Sequence, residues 1–275
     1  MNHPLRLAIL DLYNGHPNEG MRCIRQLVSE FREFDAPGLI VEEFDVRQRG
    51  EVPLAKDFDI FISSGGPGDP LDTGTWGEVY FDLIDEIFAN NLRRKARKKY
   101  LFLICHSFQM VSHHLTIGQL TKRRSTSFGT FPIHKTEAGL DEPLFELLPE
   151  PFFAVDSRDY QLVQPDPARL DDLGAEVVCI EKDRPHVALE RAVMGIRFSP
   201  EIFGTQFHPE ADAEGMLRYF LTDEKRRQVI ENYGEAKYHE MVEHLNDPDK
   251  ILLTESVIIP SFLRNAAYHL QPLNA

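Results

Sequence analysis

Cysteine is scarce in this 275-residue chain, with only Cys23, Cys105 and Cys179. An odd, sparse set builds no disulfide framework, so a reducing compartment, the cytoplasm, is expected. Long hydrophobic runs are also missing. The apolar stretch at 7–10 is closed by Asp11, too early for a signal-peptide core. No stretch approaches the ~20 apolar residues of a membrane span. Positive charge is in deficit: 30 Lys and Arg against 44 Asp and Glu leave a net −14, which phosphate backbones repel. Nucleic acid is thereby excluded as the main ligand. Repeats and low-complexity tracts are absent. What remains is ordinary globular composition, in a chain long enough to bury a full core without cross-links.

The first half alternates apolar strands with amphipathic helices. Residues 5–12 read as a buried strand. Asn18 can cap a helix that puts Met21, Ile24, Leu27, Val28 and Phe31 on one face. Strands follow at 39–44 and 58–63. Trp76, Val79, Tyr80, Leu83, Ile84, Ile87 and Phe88 keep helical spacing. The apolar run 100–104 ends at Cys105, and a further helical pattern begins there. This order predicts an α/β fold with a largely parallel central sheet. Short runs at 130–133, 152–155, 176–181 and 187–190 predict antiparallel strands that finish the sheet. A short helix is expected at 213–221. Beyond it, 223–275 carries no strand signal and reads as three or four helices, with breaks at Asp247-Pro248 and Ile259-Pro260. We therefore divide the chain into a main domain, 1–222, and a helical C-terminal extension, 223–275.

Three motifs carry chemistry. Cys105 stands where a strand meets a helix, a geometry that exposes a thiol at the carboxyl end of a sheet and lowers its pKa. A buried structural cysteine is the alternative. Ser63-Ser64-Gly65-Gly66-Pro67-Gly68-Asp69-Pro70 ends the third strand. Its glycines let backbone N–H groups approach an oxyanion, although a plain tight turn has the same composition. No Gly-Lys-Ser/Thr follows, so this is not an ATP-binding loop. Finally, Gly204-Thr205-Gln206-Phe207-His208-Pro209-Glu210 offers a base, His208, and a carboxylate, Glu210, to orient it. The same letters suit a helix start.

Together, in this order, the motifs resemble those of the class I glutamine amidotransferases, over about residues 5–222. The segments Thr136-Glu137-Ala138-Gly139 and Asp141-Glu142-Pro143-Leu144-Phe145 resemble free-standing members similar to the glutaminase part of GMP synthase. The resemblance implies a flavodoxin-like three-layer sandwich and a Cys105–His208–Glu210 triad. It also implies an oxyanion and substrate site at Gly65, Gly66, His106, Gln109, Ser157 and Arg158. The expected substrate is glutamine or another γ-glutamyl amide, hydrolysed through a γ-glutamyl thioester without metal or cofactor. Ammonia would pass to a partner synthase; a homo-oligomer stays open, as does a non-catalytic protein that kept the fold. Two departures stand out. The elbow reads Leu103-Ile104-Cys105-His106-Ser107-Phe108-Gln109, without the family's flanking glycines. Arg158 occupies a position where family members carry histidine.

Other candidates are weaker. His239 and His244 lie five apart, about 140° around a helix, and do not converge on a metal. His113 and His114 are adjacent and diverge. Arg93 to Lys99 holds six basic residues of seven, suited to a helix C-terminus or to an anion. The segment 11–18 follows the first strand and either shapes substrate choice or caps the next helix.

Overall fold

A computed structural model describes residues 4–185, 188–247 and 250–271. In chain order the first half runs β1 (Arg6–Asp11), α1 (Glu19–Phe34), β2 (Ile40–Asp45), β3 (Ile60–Ser63), α2 (Gly74–Leu92), β4 (Tyr100–Ile104) and α3 (His106–His114). The second half adds β5 (Gln119–Lys135), α4 (Glu137–Leu140), β6 (Phe152–Val163), α5 (Pro167–Leu173), β7 (Glu176–Glu181), β8 (Val193–Ser199) and β9 (Ile202–Thr205). Four helices close the chain: α6 (Ala213–Phe220), α7 (Asp223–Tyr233), α8 (Glu235–Asn246) and α9 (Ile251–Leu270).

One nine-stranded sheet, ordered β2-β1-β3-β4-β9-β8-β7-β5-β6, forms the middle layer. Its first five strands are parallel and the rest join antiparallel, so the sheet is mixed, and its parallel half carries the three motifs. Alternate residues of β1 serve opposite faces. Leu7 and Ile9 join α1 and α9 in one core, while Ala8 and Leu10 join α2 and α3 in the other. Two covered faces explain why these strands read as continuous apolar runs. The fold is thus the α/β sandwich expected from the sequence.

Several local expectations are revised. The strands β8 and β9 are additions to the pattern read from sequence, because β9 has only four residues between Pro200 and Gln206 and resembles a turn. Residues 188–190 are not strand, and Val187 lies outside the described residues, as does Pro248 of one expected break. Pro260 does not break the tail: it sits inside α9. A proline in a helix costs an i→i−4 hydrogen bond. Here Ile258, Ile259, Phe262 and Leu263, all fully buried around it, outweigh that loss. At roughly 1.5–3 kcal/mol per large apolar side chain, an upper estimate, the packing exceeds the proline penalty several times over. Leu252, in contrast, faces out at 52% exposure. The basic run is partly internal. Arg97 pairs with Asp59 and donates to the carbonyl of Leu270, and Lys99 donates to that of Phe58.

Candidate active site

Four loops meet at the carboxyl ends of β1, β3, β4 and β9. Asn18 caps α1 by accepting from the Met21 N–H at 2.7 Å, which sets the path of the loop after β1. Arg47 ties that loop to the one after β3, donating to the carbonyls of Leu12 and Pro67. A Cβ at Gly66 would lie 2.5 Å from the Leu12 oxygen, so only glycine fits where the two loops touch. Neither Gly65 nor Gly66 donates its N–H to another described residue.

Cys105 bridges β4 and α3 with φ of +48°, a strained turn for a residue with a side chain. The elbow tolerates this without its two glycines for visible reasons. Ser107 accepts from the Ile104 N–H and donates to the Ser63 carbonyl, both at 2.8 Å, which staples the turn to β3. Leu103 pairs with Gly204 on β9, and a Cβ there would stand 3.3 Å from the Leu103 Cβ and 2.8 Å from the Phe108 ring. Gly204 thus leaves the room that Leu103, Phe108 and Phe198 fill where the two strands meet.

The thiol is 5% exposed and points towards the Ser157 carbonyl, 3.6 Å away. Gln206 donates its side-chain amide to the sulfur at 3.6 Å and accepts from Gln109 at 3.0 Å. Gln109 also donates to the Tyr160 carbonyl, which fixes its rotamer at the cavity wall. β6 arrives here because the sheet curls: the N–H of His208 donates to the Val155 carbonyl at 2.8 Å.

His208 Nδ1 lies 2.8 Å from Glu210 Oε1, and its ring meets the Cys105 side chain at Gly65, where a Cβ would stand 3.0 Å from His208 Cε1 and 3.7 Å from the Cys105 Cβ. Burial pulls the imidazole pKa down, but the charges of Glu210 and Cys105 outweigh it and hold His208 well above its ordinary value. Glu210 is completely buried. His106 goes the other way. Burial, helped by Arg47, lowers it to about 4, so its side chain is neutral at pH 7. Burial pushes Cys23 up to about 12 and Cys179 well above its usual value, leaving both as inert thiols.

The sequence-predicted residues Cys105, His208, Glu210, Gly66, His106, Gln109 and Ser157 line one cavity of about 730 Å³, and Gly65 stands at its edge. Arg158 adds to the wall, yet its guanidinium is not offered to a ligand there: it is fully buried and paired with Asp156 and Glu181. An arginine on a strand alternating with Ser157 turns to the opposite face of β6. Sequence reasoning overlooks Gln206, Tyr13 and Tyr160. Gln206 sits inside one of the three motifs, and Tyr13 within the segment 11–18, so both are within its reach. His114 is structural: it stacks on Phe81 and bonds Asp85. No group of side chains suited to a metal ion occurs among the described residues, and no described helix is long and apolar enough to cross a membrane.

A family model described as glutamine amidotransferase class-I matches residues 18–225. Solved structures share the fold at low identity. A glutamine amidotransferase from Thermotoga maritima aligns with TM-score 0.67 and 16% identity, over 98% of this chain and 100% of its own. The CTPS glutaminase domain of Trypanosoma brucei, with bound acivicin, aligns at 0.59 and 12%, over 96% and 94%. A GMP synthase-like protein from Thermoplasma acidophilum aligns at 0.53 and 16%, over 88% and 100%. No curated protein is detectably similar in sequence.

Proposed function

This chain belongs to the class-I glutamine amidotransferase family, and from that premise we propose that it is a cysteine-dependent amidohydrolase that releases ammonia from glutamine. The observation that carries the reading is the line Cys105–His208–Glu210, drawn from two loops 103 positions apart onto one cavity wall.

The thiol gives its proton to His208, whose raised pKa favours the thiolate–imidazolium pair. The thiolate attacks the γ-carboxamide carbon. N–H groups at Gly65, Gly66 and His106 face the developing oxyanion, a contribution of roughly 3–4 kcal/mol per donor in comparable acyl transfers. The C–N bond then breaks, His208 returns the proton to the departing nitrogen, and ammonia leaves. Water, activated by the same histidine, hydrolyses the γ-glutamyl thioester and regenerates the thiol. Gln109 and Ser157 position the substrate from the cavity wall. Of Arg158, the backbone alone is available for that role. Residues 223–275 act as an extension of the catalytic unit, 1–222.

The name of the Thermoplasma relative ties that protein to a GMP synthase. By analogy, ammonia made here passes to a partner synthase. A second reading, hydrolysis of a larger γ-glutamyl compound, is favoured by one observation: a cavity of about 730 Å³ gives more room than glutamine alone fills. Incubating purified protein with glutamine and with γ-glutamyl amides, and measuring released ammonia or amine, tests both. Release from glutamine supports the first reading, release from substituted amides alone supports the second, and none from either refutes both.

A further inference from the structure

The loop after β1 places a phenol beside the triad, and two glycines, Gly20 in the first turn of α1 and Gly65 after β3, make room for it. A Cβ at Gly20 would stand 2.3 Å from the Tyr13 hydroxyl and 3.3 Å from Glu210 Oε1. A Cβ at Gly65 would stand 3.0 Å from His208 Cε1, 3.1 Å from the same hydroxyl and 3.7 Å from the Cys105 Cβ. Base, nucleophile and phenol therefore surround one point at the oxyanion loop. Tyr13 lines the catalytic cavity, and its hydroxyl has no hydrogen-bond partner among the described residues. Burial, then the charges of Glu210 and Cys105, keep the phenol protonated.

His208 Nδ1 is occupied by Glu210, so Nε2 is the nitrogen that meets the thiol and the leaving group. Cε1 lies between Nδ1 and Nε2 in the ring, and the Tyr13 hydroxyl and the Cys105 Cβ meet beside it at Gly65. A nitrogen that departs while taking the Nε2 proton leaves within the cavity that Tyr13 lines. We propose that Tyr13 is the leaving-group residue of the site: its hydroxyl contacts the departing nitrogen and favours an unsubstituted amide, and hence ammonia, over N-substituted amides. In the step concerned, the C–N bond of the tetrahedral intermediate breaks, the His208 proton goes to nitrogen, and the electron pair leaves with the ammonia. The phenol neither gains nor loses a proton: it accepts an N–H bond from the departing group and orients the nitrogen lone pair towards His208. This rests on the amidohydrolase reading and decides between its two substrates.

Two variants test it, with glutamine and γ-glutamyl methylamide as substrates. Tyr13→Phe keeps the ring and loses the oxygen; kcat on glutamine should fall by about tenfold or more, with KM nearly constant. Tyr13→Ala removes the barrier; the ratio of kcat/KM for the methylamide over glutamine should rise by about tenfold. Should Tyr13→Ala fail to fold, Tyr13→Leu takes its place. Both shifts are required, and folded variants in which either is missing overturn the proposal. A wild-type protein inert on both amides refutes instead the amidohydrolase reading beneath it.

Discussion

At the scale of residues, the account turns on the charge state of His208. A histidine whose pKa is raised in the folded protein favours folding below the ordinary value of about 6.5, and that contribution is lost as pH rises through the raised value. The alkaline limb of kcat/KM should therefore lie well above pH 6.5. Glu210→Gln removes the buried charge that opposes the cost of burial, so the limb should move to lower pH. A pH–rate profile of both proteins checks this; an unmoved limb would mean that Glu210 does not control His208. Cys105, His208 and Glu210 stand out in the sequence because Cys105 ends an apolar strand and the other two share one motif, which is a turn rather than a helix start, α6 beginning only at Ala213. Tyr13 lies in the segment 11–18 that the sequence singles out, but its place beside the triad does not show there, since it depends on the room left by Gly65 on another loop. The fate of the Arg158 guanidinium was equally hidden: it depends on Asp156 and on Glu181 of another strand.

Among elements, the elbow between β4 and α3 depends on its neighbours, with Ser107 stapling it to β3. Gly204 makes room for Leu103 across the β4–β9 pair. Gly204→Ala would press a methyl group against the Phe108, Phe198 and Leu103 side chains, at a cost of about 1–3 kcal/mol. Because that pressure also reaches the elbow, activity should fall with stability, and Leu103→Gly, which removes the Cβ facing the new methyl group, should cost less beside Gly204→Ala than alone. Chemical unfolding and activity of the single and double variants measure the coupling; strictly additive effects would contradict it. The parallel strands β1, β3 and β4 could be read from sequence as apolar runs, whereas the edge strand β2 carries Glu42 and Glu43. β9 could not: unlike the equally short β3, it is interrupted by Gly204 and runs straight into a polar motif. The curl that brings β6 to the thiol arises from pairing between distant strands and leaves no local trace.

For the whole molecule, the tail is part of the sandwich. Val257, Ile258, Ile259, Phe262, Leu263 and Ala266 share a core with β1, β4 and α1, and Thr254 donates to the Phe153 carbonyl. Removing 251–275 should strip the cover from one sheet face and yield an insoluble or self-associating product, as seen by light scattering. A truncated protein as soluble and stable as the full chain would show the tail to be a dispensable appendage. The helical character of this segment was readable from its lack of a strand pattern; that α9 runs through Pro260 followed only from what surrounds it.

The most direct measurement is to map where acivicin, the molecule bound in the Trypanosoma brucei relative, attaches to this protein. Peptide mass spectrometry should find the label on Cys105 alone, with excess glutamine protecting it and His208→Ala slowing it, because burial leaves Cys23 and Cys179 as unreactive thiols. Label on either of those two cysteines, or undiminished glutamine hydrolysis by Cys105→Ala, would contradict the assignment of Cys105 as nucleophile.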